Sequence, residues 1–206
     1  MRPVDSVWHV ARECAGVAEA GGVKDMVRGL ADAQARTGMA VTVVLPRYGF
    51  TRGRLEVSDR PVAKAVVSLP DPDGWSRMTE EPVTVWSSSL AAVRLLLVDS
   101  PRFADKRDVY TWTAEDERDN QHRRKGTGHW DAHHMNLLLQ RGALEAAAAL
   151  AESPSVFHCH DGHASFLPAI AREDPRLAAQ LRGSRMVVTI HNAGDGDHQE
   201  IWDPRV

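Results

Sequence analysis

Between Val156 and His163 the chain reads Val-Phe-His-Cys-His-Asp-Gly-His, followed by Ala-Ser-Phe-Leu-Pro. A short apolar run passes into alternating His and Asp, and a helical pattern begins almost at once. That places His158, His160, Asp161 and His163 at the carboxyl end of a strand, where open α/β sheets bind their ligands. A second apolar run, Met186 to Ile190, ends in His191-Asn192. Imidazole, carboxylate and amide side chains delivered by two strands to one edge make a polar site. Neutral imidazoles donate to or accept from hydroxyls, and a neighbouring carboxylate fixes their tautomer.

Two other readings of the histidines stay open. Imidazoles with a carboxylate at close spacing suit zinc, with His191 or His198 completing a set built on His158, His160 and His163. The cluster resembles the H-x-H-x-D-H pattern of metallo-hydrolases, but Asp161 stands one position too early. The blandest reading is that these histidines pack or cap the following helix.

A second constellation lies near the start. Glu19-Ala20-Gly21-Gly22-Val23 leads into residues with helical apolar spacing, Val23, Met26, Val27, Leu30 and Ala31. Paired glycines let backbone N–H groups approach an anion at a helix start, with Lys24 adding positive charge nearby. A tight turn explains the same residues. No G-x-G-x-x-G or G-x-x-x-x-G-K-[ST] is present, which disfavours dinucleotide and P-loop sites.

The elements that must position these groups follow from the apolar pattern. Val4 to Val10 reads as a buried strand. The helix from Val23 stops near Thr37-Gly38, and Val41 to Leu45 is a second strand. Together they make a βαβ unit with parallel strands. Val62 to Leu69 and Val83 to Trp86, separated by Pro-Asp-Pro-Asp-Gly, read as a hairpin-like insertion. Val93 to Val98 is another strand. Ser100 to Trp130 is long, polar and irregular, and Glu115 to Lys125 within it reads as solvated surface. Met135 to Ala151 is a helix rich in Ala and Leu, and short helices at Ala164 to Arg172 and Pro175 to Leu181 precede the last strand.

Composition bounds the function. A chain of 206 residues, 43% hydrophobic and 26% charged, is that of an ordinary globular domain. A net charge of -3 gives no field favouring nucleic acid or acidic membrane. No signal-peptide core or membrane-spanning run is visible, so the expected location is cytoplasmic. The two cysteines, Cys14 in a polar loop and Cys159 between histidines, do not form a disulfide framework. Trp112, Trp130 and Trp202 are candidates either for stacking on sugar rings or for anchoring loops.

Five short motifs then occur in a telling order: the Gly21-Gly22 loop; Gly38-x-x-Val-Thr-Val-Val-Leu-Pro46-Arg47-Tyr48; Asp131 ahead of a helix ending Arg141-Gly142-Ala143-Leu144-Glu145; His160-Asp161-x-His163; and Thr189-Ile190-His191-Asn192. The chain resembles the N-terminal, acceptor-side half of bacterial glycogen synthases and plant starch synthases. These are retaining glucosyltransferases of the GT-B type, with two Rossmann-like domains facing a cleft. The resemblance implies an α/β fold: an open, mostly parallel sheet with helices on both faces. It implies transfer of glucose from a nucleotide sugar, ADP-glucose rather than UDP-glucose as the working expectation, to an α-1,4-glucan, with no cofactor and no metal. By position, His160 would contact the transferred glucose as the catalytic histidine. Glu19, Gly21, Gly22 and Lys24 would form the nucleotide-sugar loop, and Asp131, Asp161, His191 and Asn192 would line the sugar site.

In the same expectation, His160 points into an open cleft and a nucleotide-binding C-terminal domain is missing from residues 1–206. The chain departs from the pattern at Glu19, where the family has Lys, at Gly162 in place of Trp, and at Ala132 in place of Asn. A non-catalytic glucan-binding remnant and a metal-dependent hydrolase are the alternatives to a glucosyltransferase half.

Overall fold

The computed structural model describes residues 3–71 and 74–192. Trp202 and His198 lie outside the described residues. Among those described, seven strands form one sheet: β1 (Ser6–Val10), β2 (Ala40–Pro46), β3 (Ala63–Asp71), β4 (Gly74–Leu90), β5 (Val93–Asp99), β6 (Val156–His160) and β7 (Arg185–Thr189). Their order is β3-β4-β5-β2-β1-β6-β7. The five strands from β5 to β7 are mutually parallel, whereas β3 and β4 are antiparallel additions at one edge. The fold is α/β with a mostly parallel sheet.

Alternation along the strands sorts side chains into two layers. Val41, Val43 and Leu45 of β2, with Val93, Leu95 and Leu97 of β5, pack on Val27 and Ala31 of helix α1 (Val23–Arg36). Val44, Leu96, Val98, Trp8 and Phe157 face the other way, onto Met135, Leu138, Leu139 and Ala143 of α4 (Ala132–Ala149). Each fully buried aliphatic or aromatic side chain contributes about 1.5–3 kcal/mol. The close approach of α4 to the sheet depends on Gly142, where a Cβ would collide with the Val98 side chain. Gly38, with φ +88°, closes α1 as the sequence predicts.

The middle of the chain differs from the expected insertion. The β3–β4 hairpin is a continuous extension of the sheet, because β4 also pairs with β5 through a tight turn at Ala91 and Ala92. The segment from Ser100 to Trp130 is folded, with helices α2 (Pro101–Ala104) and α3 (Ala114–Asp119). Thr113 and Asp116 form a capping box on α3, and Asp116 is buried against Arg107. The segment predicted as solvated surface is therefore partly anchored. Two short helices, α5 (Leu167–Glu173) and α6 (Pro175–Ala178), connect β6 to β7. Cys14 is buried rather than in a polar loop, and both thiols are free, with burial raising each to about 12. No helix among the described residues is long and apolar enough to cross a membrane.

Candidate functional site

The parallel strands bring their carboxyl ends to one edge, and register decides which histidines meet there. His9 of β1 lies opposite His158 of β6, and His160 lies opposite Thr189 of β7. All three imidazoles project from the α1 face, where Gln34 of α1 reaches His9. His9 Nε2 is 2.7 Å from Gln34 Oε1, His9 Nδ1 is 3.0 Å from His160 Nε2, and His160 Nδ1 is 2.9 Å from His191 Nε2. The result is a file, Gln34–His9–His160–His191, crossing three strands.

Gln34 sets its polarity. An amide oxygen only accepts, so His9 carries its proton on Nε2 and accepts at Nδ1. His160 then donates from Nε2 and accepts at Nδ1 from the Nε2–H of His191. His158 stacks on His160 with ring centroids 4.3 Å apart, and its Nε2 lies 2.7 Å from Thr189 Oγ1. Burial holds the two inner imidazoles neutral: His9 is pushed down to about 4, and His160 to about 2 with His158, His9 and His191 adding repulsion. Burial also lowers His158, with His191 contributing.

His160 does not point into an open cleft. It is 1% exposed and bonded at both nitrogens, because the flanking strands bring an imidazole to each side of it. His191, only half-buried, is the outer end of the file, and Asn192 beyond it is exposed. Asp161 supports that end. It has left-handed backbone (φ +58°), its N–H donates to Thr189 O at 2.8 Å, and its Oδ1 accepts the His191 N–H at 2.6 Å. Its carboxylate holds the β7 terminus. His163 is not part of the file. It stacks on Tyr110 at 5.2 Å, and burial, with Arg12 nearby, lowers it to about 3.

The Gly21-Gly22 loop stands at the same edge, after β1, and the N–H groups of Ala20 and Gly21 are already engaged. Glu13, 1% exposed, accepts from Ala20 N at 2.9 Å, from Gly21 N at 2.7 Å and from the Tyr110 hydroxyl at 3.1 Å. A Cβ on Gly22 would meet nothing within 4 Å, so its backbone faces open space. Glu19 turns back to accept from Gly16 N at 2.6 Å. Lys24 pairs with Asp25 at 2.7 Å instead of Glu19.

Asp131 belongs to a different group of contacts. Its Oδ2 accepts from Arg102 and Lys106, each at 3.0 Å, while Oδ1 is buried without a protein partner. Burial raises its carboxyl, but Lys106 and Arg102 outweigh this and hold it below the usual range. Behind it, Trp112 is core, whereas Trp130 is 61% exposed and packs on Trp112. A cavity of about 550 Å³ lined by Ser6, Trp8, Thr42, Arg94 and Glu152 lies at the opposite, amino-terminal edge, away from the imidazoles.

Sequence reasoning thus brought His158, His160, Asp161 and His191 together correctly, and missed His9, Gln34 and Glu13. His9 had one local signal, a lone imidazole in the apolar run Val-Trp-His-Val of a strand already expected to lie in the sheet.

Residues 6–204 match the family model described as the starch synthase catalytic domain. The chain is 28% identical over 201 residues to the glycogen synthase of Aeromonas hydrophila subsp. hydrophila, covering 95% of this chain and 37% of that protein. It is 32% identical over 186 residues to the glycogen synthase of an Anaeromyxobacter species, covering 90% and 34%. It therefore spans about a third of the length of these relatives. The fold matches the solved catalytic domain of starch synthase IV from Arabidopsis thaliana, bound to ADP and acarbose. The TM-score is 0.67 at 24% identity, over 92% of this chain and 34% of that one. By the match across nearly its whole length, the chain belongs to the starch synthase catalytic domain family.

Proposed function

We propose that this chain is the acceptor-side half of a retaining glucosyltransferase that moves glucose from ADP-glucose to the non-reducing end of an α-1,4-glucan. The observation that carries the reading is the imidazole file, which ends in half-buried His191 on the same sheet edge as the Gly21-Gly22 loop. The solved relative bound to ADP and acarbose supports a nucleotide diphosphate and a glucan-like sugar as the ligand classes.

In this reading His191 meets a sugar hydroxyl and His160, one hydrogen bond behind it, fixes its tautomer. The polar edge contributes oriented dipoles to an oxocarbenium-like centre and the departing diphosphate. Gly22 offers the open approach for the phosphates. A second Rossmann-like unit forms the other wall of the cleft, and closure excludes water.

The test pairs a glucan-primed assay using ADP-glucose with calorimetric titration of a maltooligosaccharide. The isolated chain binds the oligosaccharide, His191→Ala weakens that binding, and transfer by the chain alone is negligible. No binding of either ligand class would remove the reading.

One observation favours a glucan-binding remnant instead. Glu13 occupies the N–H groups of Ala20 and Gly21 that a diphosphate would use. Turnover by this chain once it is combined with the nucleotide-binding domain of a relative eliminates that alternative.

A further inference from the structure

Three imidazoles meet on the α1 face with their outer nitrogens engaged. His9 Nε2 faces Gln34 Oε1 at 2.7 Å, His158 Nε2 faces Thr189 Oγ1 at 2.7 Å, and His160 Nδ1 faces His191 Nε2 at 2.9 Å. The inner nitrogens are His9 Nδ1 and His160 Nε2, which hydrogen-bond to each other at 3.0 Å, and His158 Nδ1. One candidate ligand atom from each of the three residues lies within 4.8 Å of the other two, the His9–His160 pair being 3.0 Å apart. Metal-binding histidines share this construction: one nitrogen takes the ion while the other is oriented by a carbonyl, carboxylate or other polar partner. We propose that His9, His158 and His160 form a binding site for a borderline divalent cation of the Zn²⁺ type, with His9 Nδ1, His158 Nδ1 and His160 Nε2 as ligands.

The donor set selects the class of ion. Three imidazoles with no carboxylate among them favour Zn²⁺, Cu²⁺ or Ni²⁺ over Mg²⁺ and Ca²⁺, which require oxygen. Cys159 does not compete, because strand alternation sends it into the core on the opposite face. Zn–N bonds of about 2.0–2.1 Å in a tetrahedron place nitrogens about 3.3 Å apart. The His9–His160 pair therefore opens by only a few tenths of an ångström. Three protein ligands leave a fourth position free, and half-buried His158 marks the side from which solvent reaches it.

Binding has a defined proton consequence. The ion takes the Nε2 lone pair of His160, so the single proton of that neutral ring moves to Nδ1. The His160–His191 hydrogen bond then reverses, with His160 donating to His191 Nε2 and the His191 proton moving to its Nδ1. His9 keeps its proton on Nε2 toward Gln34. No net proton is released.

The proposal shares His160 with the glucosyl-transfer reading, which places it behind His191, so its test uses no turnover and its failure leaves that reading standing. The 206-residue chain is dialysed against Zn²⁺ and the bound metal quantified, alongside ¹⁵N spectra of its histidines. One equivalent per chain is expected, with His160 changing from the Nε2–H to the Nδ1–H signature. His158→Ala, at the half-buried ligand, lowers affinity at least about tenfold. Gln34→Leu keeps all three ligands and lowers affinity by about 10- to 100-fold through loss of orientation. These two variants carry the test even if truncation of buried His9 or His160 prevents folding. Absence of stoichiometric binding overturns the proposal. So does binding that is unchanged in His158→Ala, which would place the ion among others of the ten histidines.

Discussion

Gln34 Oε1 lies 2.7 Å from His9 Nε2, and through His9 it selects which nitrogen of His160 bears the proton. A helix residue thereby sets the state of an imidazole two strands away. Gln34→Leu leaves the His9 donor without a partner in the protein interior, at a cost of about 1–3 kcal/mol. It also frees His160 to populate both tautomers. Urea melts and ¹⁵N histidine spectra check the two effects, and an unchanged single His160 tautomer would mean that Gln34 does not set it.

His160→Ala now carries a larger expected cost than an exposed sugar contact would. It removes a buried ring and strands the nitrogens of His9 and His191, for about 2–4 kcal/mol. His191→Ala, at the half-buried end, costs less. Denaturant midpoints of the two variants should rank in that order.

Acid should destabilise the chain early. The folded-state pKa values of His9, His160 and His163 lie below the usual 6.5, at about 4, 2 and 3. The unfolded chain therefore takes up protons first as pH falls. Stability is fully present above about pH 6.5 and declines progressively toward these lower values, by up to about 1.4 kcal/mol per pH unit for each such imidazole. Chemical denaturation at pH 7.5 and 5.5 measures this. Equal midpoints would show that the imidazoles ionise freely in the fold.

Asp161 combines left-handed backbone with a carboxylate on the His191 N–H. Asn tolerates that conformation and retains an acceptor, whereas Ala does neither. Asp161→Asn should stay within about 1 kcal/mol of the parent and Asp161→Ala should lose about 2 kcal/mol. Thermal melts of both variants decide the matter, and equal loss in the two would point to the charge itself.

Glu19→Lys reverses a charge beside the Gly21-Gly22 loop and releases the Gly16 N–H. ADP binding should tighten by roughly three- to tenfold at low salt, with the gain shrinking as salt screens it. Calorimetry at two ionic strengths checks both parts. Unchanged affinity would mean that the loop does not receive phosphates.

Local pattern carried most of the fold. Val4 to Val10, Val41 to Leu45 and Val93 to Val98 announce strands because buried parallel strands are continuous apolar runs. The end of α1 was legible from Thr37-Gly38. The pairing of β4 with β5 was not, since the hairpin's alternation does not reveal which edge it joins. The site was half legible. His158, His160, Asp161 and His191 follow apolar runs at strand ends. Gln34 and Glu13 lie in a helix and a loop, and only the packing of α1 and the turn after β1 turns them inward.

The imidazole file also constrains how this sequence can be recombined. Its hydrogen bonds join positions 25, 151 and 31 residues apart. A chimera between relatives with a crossover anywhere from residue 37 to 155 inherits Gln34 and His9 from one parent and His160 and His191 from the other. The strands and helices of such a hybrid could all form, yet its proton arrangement would depend on whether residue 34 and His9 from one parent meet imidazoles from the other that expect the same hydrogen-bond polarity. The four positions are heritable as a set, so saturation libraries should vary them jointly.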